Sequence, residues 1–286
     1  MRPQTTLPEP VLPPLPPELG KRYRALLEFL GGCERTITGF SGGVDSSLVA
    51  YLAHRVLGER ALAVTSASAS LTRDDLELTR RLAREWGMRH EVIETNELEN
   101  PSYLANPGNR CYFCKSTLYT DLDAMAARAG GATLLNGTNL DDLGDHRPGL
   151  LAARERRVRS PLAECGFTKA EIRALAGALG LPNAEKPQAA CLSSRVPYGL
   201  AISVPVLKQI EAAEKFLKGL GLTQVRVRHH DTVARIEVLP EDFPAVLAHR
   251  DEIDRELRAL GYRYVTLDLL GFRSGSLNEA LKPGKD

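Results

Sequence analysis

From residue 18 to about residue 180 the apolar positions switch repeatedly between helical spacing and short unbroken runs. Glu18 to Leu30 carries the helical spacing. Thr36-Ile37-Thr38-Gly39-Phe40 reads as a buried strand, and after a Gly-rich turn Ser46 to Val56 reads as a helix. Ala61–Thr65 is a second strand. Thr72 then opens a helix that runs to about Trp86, its Thr-Arg-Asp-Asp resembling a capping box with Asp in place of Glu. Glu91–Glu94 and Ala132–Leu135 are further strands, with a helix over Lys115–Arg128 between them. Strands that alternate with helices predict an α/β fold, a parallel sheet covered on both faces. Thr168–Leu179 is another helix, stopped by Gly180 and Pro182.

Residues 184–198 show little periodicity, and the pattern then changes. Ser203–Leu220 reads as a helix, Thr223–Arg228 and Val233–Leu239 as strands joined by a polar turn, Glu241–Leu260 as a helix and Tyr262–Leu269 as a last strand. This predicts a smaller α+β domain from residue 201 to 286 after an α/β domain over 18–200, with a Pro-rich, extended arm at 1–17.

Composition narrows the class. The 286 residues are 43% hydrophobic, enough for a substantial core, and the formal charge of +1 argues against a chain that coats nucleic acid. No apolar run is long enough for a bilayer and the N-terminus lacks a secretory h-region, so a cytoplasmic protein is expected. Five cysteines in a reducing compartment turn attention from disulfides to catalysis or metal binding. Cys33 and Cys165 lie in ordinary surroundings and read as small hydrophobes.

Ser41-Gly42-Gly43-Val44-Asp45-Ser46-Ser47 joins a strand to a helix, where a parallel sheet offers backbone N–H groups and a helix N-terminus to an anion. Paired glycines let phosphate oxygens approach, and the serines add donors. The lysine of a Walker A loop is missing. The string resembles the loop of the ATP-pyrophosphatase superfamily, which implies cleavage of ATP between its α- and β-phosphates. Asn136-Gly137-Thr138-Asn139-Leu140-Asp141-Asp142 follows the fourth strand at the same edge. Gly137 and Asn139 are expected at the nucleotide, and Asp45, Asp141 or Asp142 at a Mg²⁺ ion.

Cys111 and Cys114 have metal-ligand spacing, and Cys191 lies in the polar stretch Cys191-Leu-Ser-Ser-Arg195-Val-Pro-Tyr-Gly. Three thiolates can hold three irons of a [4Fe–4S] cluster and leave one iron open to a sulfide. Alternatively, Cys191 acts alone as a nucleophile activated by Arg195. Together the loop at Ser41, Arg110-Cys111-x-x-Cys114-Lys115, Gly137–Asp142 with Arg147-Pro148-Gly149, and the Cys191 stretch resemble the LarE family of ATP-dependent sulfur transferases. The likeness runs from about Leu26 to Asn278. It implies adenylation of a carboxylate of pyridinium-3,5-biscarboxylic acid mononucleotide, then sulfur insertion, in nickel-pincer cofactor synthesis. The extra Cys111 and Cys114 resemble members of the cluster type. The likeness also implies substrate binding by Arg226 and Arg228 on one strand face, and by Glu214. Adjacent His229 and His230 face opposite ways on a strand and do not make a metal pair. A small-molecule substrate, no stable nucleic acid, no membrane and a homo-oligomer are the expected associations. A tRNA thiolation enzyme with a three-cysteine cluster is the rival reading, but no basic tail or RNA-capturing domain accompanies it.

Overall fold

The computed structural model describes residues 13–144, 148–187, 190–273 and 275–277. Most of the Pro-rich arm (1–12), Arg147 and Asn278 lie outside them. In chain order the first elements are α1 (Pro17–Gly31), β1 (Thr36–Gly39), α2 (Val44–Leu57), β2 (Ala61–Ser66), α3 (Arg73–Glu85), β3 (Arg89–Ile93), α4 (Pro101–Leu104), α5 (Arg110–Arg128) and β4 (Thr133–Leu135). They are followed by α6 (Gly149–Glu155), α7 (Pro161–Glu164), α8 (Lys169–Ala178), α9 (Val204–Gly219), β5 (Arg226–His230), β6 (Val233–Glu237), α10 (Phe243–Ala248), α11 (Arg250–Ala259) and β7 (Tyr264–Leu267). No helix among the described residues is long and apolar enough to cross a membrane.

The described chain divides into two compact units, residues 13–97 with 111–187 and residues 98–110 with 190–277. The first is the expected α/β sheet, in the order β3-β2-β1-β4 with every pair parallel. Neighbouring side chains on a strand point to opposite faces, and Leu134 and Leu135 enter different cores accordingly. Leu134 joins Ile37, Val64, Leu122 and Ala152, whereas Leu135 joins Leu26, Leu48, Leu162 and Ile172. Both faces are therefore dry, and the free carboxyl ends of the strands carry the loops that matter for chemistry. Cys33 and Cys165 pack half-buried against the second of these cores.

In the second unit β5 and β6 are antiparallel, joined by a turn at Asp231 (φ 56°), and β7 lies parallel to β6. Ala213, Leu217, Val227, Ile236, Ile253 and Leu257 form its core. His229 is buried against Tyr262 and His230 is exposed, as expected of adjacent strand residues.

Three features differ from the sequence pattern. Helix α5 starts at Arg110, five residues before Lys115, so Cys111 and Cys114 lie one turn apart on a helix. The helix expected over Glu241–Leu260 is two helices, separated at His249, whose φ of −97° and ψ of 13° leave helical values. Val246, Ile253 and Leu257 keep helical spacing across that join and are all buried, so periodicity conceals the break. Helices α4, α6 and α7 span seven residues or fewer, too short to set up a period.

Candidate active site

The Gly-rich loop leaves β1 at Gly39 and enters α2 with Gly43 as N-cap, so its backbone precedes the positive end of a fourteen-residue helix. Gly42 has φ +73°, and a Cβ there would lie 3.1 Å from Thr79 Cγ2. Ser46 Oγ bonds Ser41 Oγ at 3.0 Å, accepts from Ser41 N at 3.1 Å and donates to the Gly43 carbonyl at 3.1 Å. These contacts curl the loop back on itself. Ser47 is buried and its hydroxyl accepts from Asn183 Nδ2 at 2.7 Å, so it braces the loop from beneath.

The second segment meets the first, as its sequence position suggested. Gly137 sits so close that a Cβ would lie 2.6 Å from Ser46 N, a contact only glycine allows. Asn139 Nδ2 donates to Asp45 Oδ1 at 3.2 Å. Asp142 accepts from Asn139 N at 3.1 Å, and Asp141 accepts from Lys169 N at 2.7 Å. Both carboxylates thus fasten backbone.

Two lysines complete this site, and nothing in the loop's own sequence announces them. Lys169, the first residue of α8, forms an ion pair with Asp45. Lys186 bonds Asp75 at 2.5 Å and reaches the Gly42 carbonyl at 3.5 Å. The loop's missing cation was the available signal; Thr168-Lys-Ala-Glu marks α8 as a capped helix, while Lys186 lies in the aperiodic stretch.

Cys191 belongs to the second unit, Cys111 and Cys114 to the first. Cys111 and Cys191 are exposed and Cys114 is intermediate. Two thiols one turn apart on α5 supply half of a cluster's ligands. Among the described residues no three His, Cys, Asp or Glu side chains are placed to hold a metal ion. Asp45, Asp141 and Asp142 are the carboxylates of the two loop segments, and one or two of them together with a nucleotide's own phosphates would suffice to hold Mg²⁺.

Cys191 caps a short 3-10 turn, Leu192–Arg195, and three arginines bind the turn's carbonyls. Arg195 donates to Ala190 O at 2.5 Å and to Cys191 O at 3.2 Å, Arg110 to Ser193 O at 2.9 Å and Arg228 to Ser194 O at 2.6 Å. Each is at most 5% exposed. Arg195 is paired through Nε and Nη2 with Glu214 at 2.8 and 3.0 Å, and Glu214 also accepts from Val227 N at 3.0 Å. Arg195, expected to act on the thiol, therefore grips the backbone that carries it. Arg110 in turn donates to Asn106 at 2.6 Å, and Asn106 donates to the carbonyls of Val196, Pro197 and Leu200. Arg110, Asn106 and Tyr103, which bonds Ser193 Oγ at 2.7 Å, carry no signal of this role in the sequence, because hydrogen bonds between residues some ninety positions apart leave no local pattern.

The two strand arginines differ. Arg228 is paired with Glu237 at 3.0 and 2.9 Å and donates to Ser276 at 2.6 Å. Arg226 stacks over Phe272 at 4.4 Å and makes a long 3.5 Å contact to Arg273 O. Burial, and then the charges of Arg195 and Arg228, push its guanidinium down to about 10. A buried, weakly paired cation beside two others is an environment that favours an anion.

A family model for NAD synthase matches residues 28–104, which contain the Gly-rich loop. An uncharacterised protein of Synechocystis is 45% identical over 92% of this chain and 99% of its own length. The glutamine-hydrolyzing GMP synthase of Chlamydia caviae is 26% identical over 65% of this chain and 38% of its own length. Pyridinium-3,5-bisthiocarboxylic acid mononucleotide synthase of Lactiplantibacillus plantarum is 39% identical over 92% of this chain and 96% of its own length. At that identity and coverage, the chain belongs to the family of this synthase, the LarE family within the ATP-pyrophosphatase superfamily.

Proposed function

We propose that this enzyme adenylates a carboxylate of pyridinium-3,5-biscarboxylic acid mononucleotide with ATP and converts it to a thiocarboxylate, with Cys191 as the sulfur-bearing nucleophile. The observation that carries the reading is the exposed Cys191 on a turn whose carbonyls are bound by three buried arginines. Such a turn holds a nucleophile at a fixed position without enclosing it. Arg226, in the same unit, supplies the under-compensated charge that suits the nucleotide's phosphate. Arg228 and Glu214 are positioning residues, because their polar atoms are committed to Glu237, Ser194, Arg195 and Val227.

A carboxylate resists a thiolate, because the leaving group would be an oxide. Adenylation replaces it with AMP. The Cys191 thiolate then attacks the acyl carbon and AMP leaves with the electron pair, giving a thioester. Loss of the Cys191 Cα proton expels the sulfur from Cβ: the Cβ–S bond breaks, the product keeps the sulfur as thiocarboxylate, and residue 191 becomes dehydroalanine.

Incubation with ATP and the biscarboxylated mononucleotide tests this. The expected result is pyrophosphate, a sulfur-bearing product and a polypeptide lighter by one H₂S. Cys191→Ser should release pyrophosphate and form no sulfur product. Sulfur-bearing product from a polypeptide of unchanged mass would transfer the role to another sulfur source, and iron uptake by anaerobically reconstituted protein would point to Cys111 and Cys114 as ligands.

A further inference from the structure

The loop Ser41–Ser47 contains one carboxylate and no cation. The part of ATP that leaves on adenylation is a highly charged pyrophosphate. Phosphate loops of the Walker type answer that charge with a lysine of their own. In this chain the cation that pairs with the loop's carboxylate comes from α8. Lys169 opens that helix, and its ammonium is ion-paired with Asp45 in the loop. Its backbone N–H donates to Asp141, which binds the second loop segment at the same edge.

The placement is fixed at the backbone and free at the tip. Thr168 and Glu171 form a reciprocal capping box around Lys169, and Glu171 is further ion-paired with Arg22 of α1. Ile172, Leu175 and Ala176 bury α8 in the core shared with α2. The Lys169 side chain is nevertheless 27% exposed and that of Asp45 is 21% exposed, so the pair lies where a ligand reaches it. A flexible four-carbon stem lets the ammonium change partners without moving the helix. Lys186 stands differently: bonded to Asp75 and to the Gly42 carbonyl, it secures the loop's own backbone.

We propose that Lys169 is the cation that receives the pyrophosphate leaving group, and that Asp45 holds it in reserve while no nucleotide is bound. This deepens the adenylation reading above and rests on it. In that step a carboxylate oxygen of the substrate forms a bond to the α-phosphorus. The bond from that phosphorus to the α,β-bridging oxygen breaks, and the oxygen departs with the electron pair as part of pyrophosphate. Lys169 keeps its proton and donates hydrogen bonds to the departing phosphate oxygens, where negative charge accumulates. The polyphosphate displaces Asp45 from the ammonium because it carries more charge than one carboxylate. The ammonium, still near Asp45, also offsets the repulsion between that carboxylate and the incoming phosphates.

A lysine that only fastened α8 to the loop would matter equally for every ligand of the loop. The test therefore compares AMP with inorganic pyrophosphate by calorimetry on the full-length wild type, Lys169→Met and Lys169→Arg. Lys169→Met should lose pyrophosphate affinity about tenfold or more while AMP affinity changes less than about twofold, the size of one charge-assisted contact. With ATP and the mononucleotide, kcat for pyrophosphate release should fall about 100-fold, as for loss of one preorganised donor to a developing charge. Lys169→Arg should recover part of the pyrophosphate affinity. Unchanged pyrophosphate affinity in Lys169→Met, equal weakening of AMP and pyrophosphate, or an Arg variant no better than Met would each overturn the proposal. If the wild type releases no pyrophosphate with this substrate, the adenylation reading fails instead, and the pyrophosphate titrations still decide what Lys169 binds.

Discussion

Arg226 and Arg228 stand two residues apart on β5, and their partners separate their roles. Arg228 is satisfied by Glu237, Ser194 and Ser276, so removing it strands a buried carboxylate. Arg226 has little to lose, since its charge is already disfavoured by burial and by Arg195 and Arg228. Its folded value of about 10 lies below its ordinary 12.5. For a base shifted downward, the cost of carrying the charge is fully present below the folded value and fades as pH rises toward the unfolded one. Arg226→Met should thus raise the melting temperature of the ligand-free protein by a few degrees at neutral pH. The same variant should bind the biscarboxylated mononucleotide at least about tenfold more weakly, one charged contact being lost. Differential scanning calorimetry and titration read the two effects separately, and a destabilised variant would show that Arg226 is a structural cation. Arg110 makes the opposite case. Arg110→Ala leaves Ser193 O and Asn106 Oδ1 without this donor in a buried place, at about 1–3 kcal/mol for each group. Backbone amides at 192–196 should then exchange hydrogen faster than in the wild type, with Cys191 chemically intact but slower in sulfur transfer.

At the level of elements, α8 shows how far local sequence determines the site. Its capping box fixes where the helix starts and so where Lys169 projects. Thr168→Ala should cost about 1 kcal/mol of stability, measured by urea denaturation, and should weaken pyrophosphate binding more than AMP binding. Gly137→Ala is more severe: its Cβ would meet Ser46 N at 2.6 Å, where the obstacle is backbone. That variant should lose ATP binding even if it folds, because the two loops can no longer close on each other. The parallel sheet, the Gly-rich loop, the Gly137 segment and the Thr72 cap were all legible in the sequence, since each rests on contacts within a few residues or on hydrophobic period. The break at His249 was not, because apolar spacing runs through it unchanged. Lys169 was not legible as a site residue either, and Arg110, though part of a motif that carries the family likeness, showed nothing of its role, because what makes them matter is a partner 124 or 83 positions away. Arg195 was picked out by its neighbourhood in sequence, which does not show that it also holds the carbonyls of Ala190 and Cys191 and pairs with Glu214.

On the scale of the whole molecule, the chain keeps its two candidate chemistries in separate units. The phosphate loop with Lys169 is in the unit built on the parallel sheet, and Cys191 with Arg226 is in the unit built on β5-β6-β7. Each unit has its own hydrophobic core, so each can respond to its own ligand. Calorimetry should resolve two unfolding transitions. A ligand that binds only the folded state stabilises the unit that holds it, by about 2.7 kcal/mol at a hundred times its dissociation constant. AMP or pyrophosphate should therefore raise one transition by several degrees and the mononucleotide the other, each leaving its counterpart nearly in place. At the same ligand concentrations, Lys169→Met should cut the shift caused by pyrophosphate to about half or less and spare the one caused by the mononucleotide, and Arg226→Met should do the reverse. A single transition that both ligands raise together would mean the units unfold as one, and the assignment of each ligand to a unit would then rest on the two variants, whose opposite selectivities do not depend on how cooperatively the chain unfolds.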